Sequence, residues 1–277
     1  MRASVAKEAI RCNGHLTLLI FGHLVPVGFC DDQRGHDGTP HRPCQSVGHD
    51  VIDLRRGRDD TASAVSRTRS IDKLVARALA LAGHGSRRIL GITGPPGAGK
   101  TTLAAAITAE LGQIAVAVPM DGFHFTNAEL ERLGRRNRKG APDTFDVEGY
   151  VALLYRLKTG KHELIYAPSF PREADEPLPD GIAIPGRVPL VITEGNYLLL
   201  DHGPWAAVRP VLDEVWFLDP DDRSRVNRLE DRHIRFGKSR HEARAWVARS
   251  DESNAALVAA TRDRADLIVE GWVSLDG

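Results

Sequence analysis

Cysteine is nearly absent. The chain of 277 residues has three, Cys12, Cys30 and Cys44, all within the first 44. Nothing beyond them can form a disulfide, which excludes a stapled secreted core and suits the cytoplasm. A charge excess is also missing. Lysine plus arginine number 37 and aspartate plus glutamate number 37, so the formal net charge is zero. Bulk charge therefore predicts no nucleic-acid partner and no attraction to an acidic membrane surface. Long apolar runs are lacking too. A bilayer span takes about 20 residues and no stretch reaches that, so no membrane association is expected. There is no internal repeat. What remains, 42% hydrophobic and 27% charged, is an ordinary globular composition with room for one large domain or two small ones.

The first 69 residues differ from the rest. Leu16 to Phe29 is an apolar run after Lys7 and Arg11, but it contains His23 and Pro26. No small-x-small cleavage site follows cleanly, so it falls short of a signal peptide. Asp31 to His49 is rich in Gly, His, Asp, Arg and Pro, and Arg55 to Arg69 is charged with little apolar content. Both read as weakly ordered. Cys30, His36, His41 and Cys44 are zinc-ligand types, yet their spacing fits no common finger pattern. Residues 1–69 are thus expected to be a disordered extension and 70–277 the folded domain.

That domain is organised by one stretch. Gly94-Pro95-Pro96-Gly97-Ala98-Gly99-Lys100-Thr101 fits G-x-x-x-x-G-K-[ST], the phosphate-binding loop. The apolar run Ile89–Thr93 before it reads as a buried strand, and Thr102–Ile107 after it as a helix. Strand, loop and helix in that order separate a working phosphate loop from a chance match. Glycines let backbone N–H groups turn inward around a phosphate, and the helix start adds further donors, including Thr102. Lys100 is expected at the β- and γ-phosphates of a bound nucleotide, and the Thr101 hydroxyl on Mg²⁺.

Four more features follow in chain order. Ser70 is placed to cap a helix with apolar positions Ile71, Leu74, Val75, Ala78 and Leu79. Asp121, in Met120-Asp121-Gly122-Phe123-His124, stands at the end of a second strand, 114–118. A carboxylate there can take the proton of an attacking hydroxyl. Glu194 ends a third strand, 189–193, where phosphate-loop proteins hold Mg²⁺. After a fourth strand, 215–218, a helix carries Arg225, Arg228, Arg232 and Arg235 at spacings of three, four and three. All four are expected on one face, closing over the triphosphate. Two loops complete the picture. Arg135 to Asp146 carries a basic cluster suited to an anionic or polyhydroxylated substrate, and 163–177 reads as an extended flap or hairpin beside it. A short last strand is expected at 265–269.

These motifs, with Arg138–Asp146, Val191–Tyr197, Asn254 and Ala260–Ile268, resemble those of the uridine kinase, phosphoribulokinase and bacterial pantothenate kinase superfamily. The resemblance runs from about Ser70 to the C-terminus. It implies an α/β, three-layer P-loop NTPase fold with a mostly parallel central sheet and a helical lid. It implies ATP- and Mg²⁺-dependent phosphorylation of a small-molecule hydroxyl, and allows a homodimer. Asp121 would be the base, Lys100, Arg228 and Arg232 the groups on the transferred phosphate, and Thr101 and Glu194 the metal-holding pair. Lys139, Asp143, Arg172 and Asn254 are the matching candidates for holding the acceptor. The flap Ser169-Phe170-Pro171-Arg172 departs from the family: it has neither the histidine-bearing segment of pantothenate kinases nor the base-holding pattern of uridine kinases. Two other readings predict different parts. A nucleotide-switched regulator needs a guanine-reading Asn-Lys-x-Asp, and a nucleic-acid-stimulated ATPase needs a basic domain and a strand-end Asp-Glu pair. The chain has none of these.

Overall fold

The computed structural model describes residues 70–160 and 164–271, with strands at 9–12, 15–20, 23–29 and 66–68. The chain forms two units, Met1–Ala64 and Val65–Gly277. In the first, β1 (Ala9–Cys12), β2 (His15–Ile20) and β3 (His23–Phe29) make an antiparallel sheet in that order. These strands fall within the stretch read as a disordered extension. The Cys30, His36, His41 and Cys44 set lies outside the described residues.

The second unit runs β4 (Ser66–Thr68), α1 (Ile71–Ala82), β5 (Arg88–Thr93), α2 (Lys100–Leu111), β6 (Ala115–Pro119), α3 (Asn127–Arg132) and α4 (Val147–Thr159). It continues with β7 (Ile165–Ser169), β8 (Leu178–Ile184), β9 (Leu190–Glu194), β10 (Glu214–Asp219), α5 (Asp222–Arg235), α6 (Arg240–Trp246), α7 (Glu252–Ala259) and β11 (Leu267–Glu270). Six strands pair in the order β4-β11-β10-β5-β9-β6, every pair parallel. β7 and β8 form a separate antiparallel hairpin. The sheet begins at Ser66, four residues before the expected boundary at Ser70.

Alternation along the buried strands builds the layers. Ile89, Val191 and Phe217 join one core with Leu154 and Leu157 of α4. Their neighbours Leu90, Ile192 and Trp216 are equally buried and face the other way. There α1 and α2 pack on each other and on β5 and β9, burying Leu74, Leu103 and Ile107. Continuous apolar strands are what a sheet covered on both faces requires. The expected α/β architecture is therefore observed. Two local expectations change. Ser70 takes the capping position of α1, but its side chain makes no capping bond. Within the expected flap, residues 165–177 are the first arm and turn of a hairpin whose second arm, β8, alternation did not reveal: its residues are mostly exposed. Among the described residues, no helix is long and apolar enough to cross a membrane.

Candidate functional site

Three strand ends converge. Glu194 at the end of β9 stands between Ile92 of β5 and Pro119 of β6. The phosphate loop leaves β5 beside it, and Asp121 follows β6 in a tight turn, Met120–Phe123. Ligands of open parallel sheets bind outside the carboxyl ends of the strands. A cavity of about 780 Å³ opens there, and Lys100, Thr101, Thr102, Asp121 and Glu194 all line it.

The loop is squeezed between β10 and α5, and this explains its glycines. Gly94 has φ +148°, and a Cβ on it would come 2.7 Å from the Leu218 carbonyl oxygen. Gly97 has φ +77°, and its Cβ would lie 2.7 Å from Leu229 Cγ and 2.9 Å from the Arg225 carbonyl oxygen. Only glycine tolerates both the dihedral and the approach. Lys100 is buried and folds back on the loop. Its ammonium donates to the carbonyl oxygens of Gly94 at 2.9 Å and Pro95 at 3.0 Å. Burial lowers its pKa to about 8, although Glu194 and Asp121 pull it up. The Thr101 hydroxyl donates to Glu194 Oε1 at 2.9 Å. Burial, reinforced by Asp121, holds the Glu194 carboxyl well above the usual carboxylate range. A hydroxyl and a buried carboxylate are the hard oxygen donors Mg²⁺ takes, usually few in number with phosphates completing the set. A cation there would offset the desolvation that disfavours the charged Glu194 carboxylate, so the donor pair fits the metal.

The arginine face divides. Arg228 and Arg232 line the cavity, as does Arg235. Arg228 Nε donates to the Gly97 carbonyl at 3.1 Å, while its Nη2 is buried with no partner among the described residues. Burial lowers the pKa of both Arg228 and Arg232. Arg225 does not join them. It is 2% exposed and lies under the loop, donating to Glu252 at 2.7 Å, Asp222 at 3.0 Å and the Pro96 carbonyl at 3.4 Å. Its expected place over the triphosphate is corrected: α5 packs so closely on Gly97 that Arg225 is trapped in the contact.

The far wall carries the acceptor candidates. Arg172 and Lys139 line the cavity, as does Asn254. The Arg172 guanidinium is 3.8 Å from Asp121. Lys139 donates to Asn127 Oδ1 at 2.8 Å and pairs with Asp175 at 3.0 Å, its ammonium 5.0 Å from the Phe170 ring centre. Asn254 donates to the Gly140 carbonyl at 3.4 Å. Asp143 is turned away. It pairs with Arg138 and, at 3.4 Å, with Arg135, and it is not on the cavity wall. Much of the basic loop is thus neutralised by its own aspartate. Sequence reasoning missed His124, which lines the cavity three residues after Asp121. Its ring lies 4.0 Å from that of Phe145 and 4.9 Å from that of Phe170, and burial lowers its pKa. It also missed His233, Trp246 and Asp251, which line the same cavity. Only the spacing of Asp251 and Asn254, three apart on one helical turn, was readable in advance.

Comparison with known proteins agrees with this geometry. The pattern of the Phosphoribulokinase / Uridine kinase family matches residues 89–274. A provisionally named uridine kinase of Schizosaccharomyces pombe is 31% identical over 212 residues, 73% of this chain and 90% of that one. A pantothenate kinase of Levilactobacillus brevis is 28% identical over 211 residues, 65% of this chain and 67% of its own. A Silicibacter crystal structure, provisionally assigned as a fructose transport system kinase, aligns with TM-score 0.65 and 33% identity over 73% of this chain and 99% of that one. Loop, strand-end carboxylates and lid arginines are found together with these matches, and the chain belongs to the Phosphoribulokinase / Uridine kinase family of P-loop kinases.

Proposed function

We propose that the protein transfers the γ-phosphate of ATP to a hydroxyl of a small molecule. The reading rests on one observation above all. The cavity lined by Lys100, Thr101 and Glu194 is also lined by Asp121, Arg172 and Asn254, so a phosphate donor and a hydroxyl acceptor can share it.

The division of labour follows from the chemistry. The N–H groups of the loop and of the start of α2 receive the phosphates, and Lys100 leaves its two carbonyl partners to pair with them. Thr101 and Glu194 would hold Mg²⁺, which when bound offsets phosphate charge. Arg228 and Arg232 oppose charge on the transferred group from the lid side, within a buried setting where such charges act strongly. Asp121 takes the proton of the acceptor hydroxyl. The cytoplasm, where ATP is available, suits this activity.

The test is an ATP-consumption screen of the purified chain against sugars, polyols, nucleosides and pantothenate. Stimulation by one class is expected. No stimulation by any hydroxyl compound would return the chain to the regulator or plain ATPase reading.

A further inference from the structure

The flap sets a cation beside the proposed base. Arg172 lies between two fastened points. Before it, the Phe170 ring packs 4.9 Å from that of His124, with the Lys139 ammonium 5.0 Å from its centre. After it, the N–H groups of Ala174 and Asp175 both donate to the Pro171 carbonyl at 3.2 Å. Asp175 then pairs with Lys139, and Glu176 accepts from the Asn127 N–H. The backbone at Arg172 is thus held, while its side chain lines the cavity. Its guanidinium is 3.8 Å from Asp121, longer than a hydrogen bond, with side chains 43% and 34% exposed. Among the described residues Arg172 has no other ion pair. A pair this long and this wet is weak, and a stronger anion displaces it at small cost.

Arg172 is one of three cations that converge. Burial is the main reason the Lys100 pKa falls, and the charges of Arg232 and Arg172 lower it further. Burial and then Arg172 lower the pKa of Arg232, and the pull of Asp251 and Asp121 does not outweigh them. Loop, lid and flap therefore each send one cation toward the same part of the cavity, where the three repel one another. An anion with oxygens pointing several ways relieves that repulsion. In the kinase reading, Lys100 marks where the phosphoryl group starts and Asp121 where it arrives. Arg172 stands on the side of arrival.

Resting on that reading, we infer that Arg172 is a further catalytic residue, leaving Asp121 to donate from the flap to the oxygens of the phosphoryl group in flight. The family resemblance gives this residue to the acceptor; the convergence of charges gives it to the transferred group. In the step, the acceptor oxygen bonds to the γ-phosphorus. The bond from phosphorus to the bridging oxygen breaks, its electron pair leaving on ADP, and the hydroxyl proton goes to Asp121. Charge spreads over the peripheral oxygens, and the planar fork of a guanidinium matches two of them. Departure of Arg172 also releases the base as the phosphate arrives.

The experiment compares the full chain with Arg172→Gln and Arg172→Lys. The first probe is ADP with Mg²⁺, titrated with and without fluoroaluminate, which mimics the phosphoryl group in flight and needs no acceptor. Fluoroaluminate is expected to tighten ADP binding in the wild type. Arg172→Gln is expected to lose at least about tenfold of that tightening, with binding of ADP alone within about twofold. Arg172→Lys, which keeps the charge without the fork, should fall between and carries the test if Arg172→Gln does not fold. With an acceptor found by the screen, kcat of Arg172→Gln should drop about 10²-fold or more and the acceptor KM change less than about threefold. Guanidinium ion added to Arg172→Ala should restore part of the turnover, which a merely structural role would not allow. Tightening unchanged in Arg172→Gln, or a raised acceptor KM with kcat intact, overturns the inference and leaves the kinase reading standing. Tightening lost in the variant while no hydroxyl compound is turned over supports Arg172 on the phosphate and overturns only the hydroxyl acceptor. No tightening in the wild type and no turnover overturns both.

Discussion

The two ends of the cavity are built differently. At the donor end the polar groups are set by main chain: a glycine-rich loop, a helix start and two strand ends. Lys100 and Glu194 are 8% and 5% exposed and bond to the loop itself. At the proposed acceptor end the groups sit on a hairpin turn, a basic loop and the lid, and they are held by side chains and loop carbonyls. Arg172 and Asp175 have side chains 43% and 52% exposed. Backbone-built sites tolerate little change, because glycine dihedrals and strand register fix them. Side-chain-built sites can change ligand by single substitutions. A shared donor and variable acceptors are the expected result of that difference.

The largest effect should come where the two ends meet. Asp121→Asn keeps the shape of the turn and removes the proposed proton acceptor. A coupled assay should show kcat lowered by about 10²- to 10⁴-fold, while titration shows ATP binding retained. Retained turnover would remove Asp121 as the base. Lost ATP binding would show that the carboxylate belongs to the donor end and break the proposed division.

The next effect tests whether the donor loop depends on what lies beneath it. Arg225→Ala removes a buried guanidinium that braces the Pro96 carbonyl and pairs with Glu252. Glu252 is itself 42% exposed, so water screens part of the loss. The expected cost is about 1–3 kcal/mol, which lowers Tm by several degrees in a domain of this size. The ATP KM should rise and the acceptor KM should not. A Tm unchanged within about 1 °C would mean that packing by Leu229 alone holds the loop.

The same division explains what could be read in the sequence. The phosphate loop, Asp121 and Glu194 were legible because each joins a local motif to a buried strand, and strand ends in a parallel sheet meet at one edge. Arg225 was misjudged because helical spacing gives a face without saying what packs on it; only the approach of α5 to Gly97 decides that. Asp143 was misjudged because a nearby loop arginine, Arg138, takes its carboxylate. His233 and Asp251, 18 residues apart on separate helical turns, carry no local signal, and their pairing arises only from how α5 packs on the turn before α7. Strand β8 was hidden because its exposed residues lack the apolar alternation of a half-buried strand.

The smallest effect separates the two ends most sharply. Asp175 sits at φ +48° in the flap turn and accepts from Lys139 and Arg136, while Glu176 beside it accepts from the Asn127 N–H at 2.9 Å. These bonds latch the hairpin turn to the start of α3 and to the basic loop. Asp175→Asn keeps the left-handed backbone, which asparagine tolerates, and removes only the charge. Exposed ion pairs contribute about 0.2–1 kcal/mol each, so the acceptor KM, measured with whichever compound the screen identifies, should rise about two- to fivefold. The ATP KM should stay constant, because none of the latch bonds reaches the phosphate loop. Equal rises in both would mean that the flap holds donor and acceptor together, and the two ends would then be one site with a shared closing step.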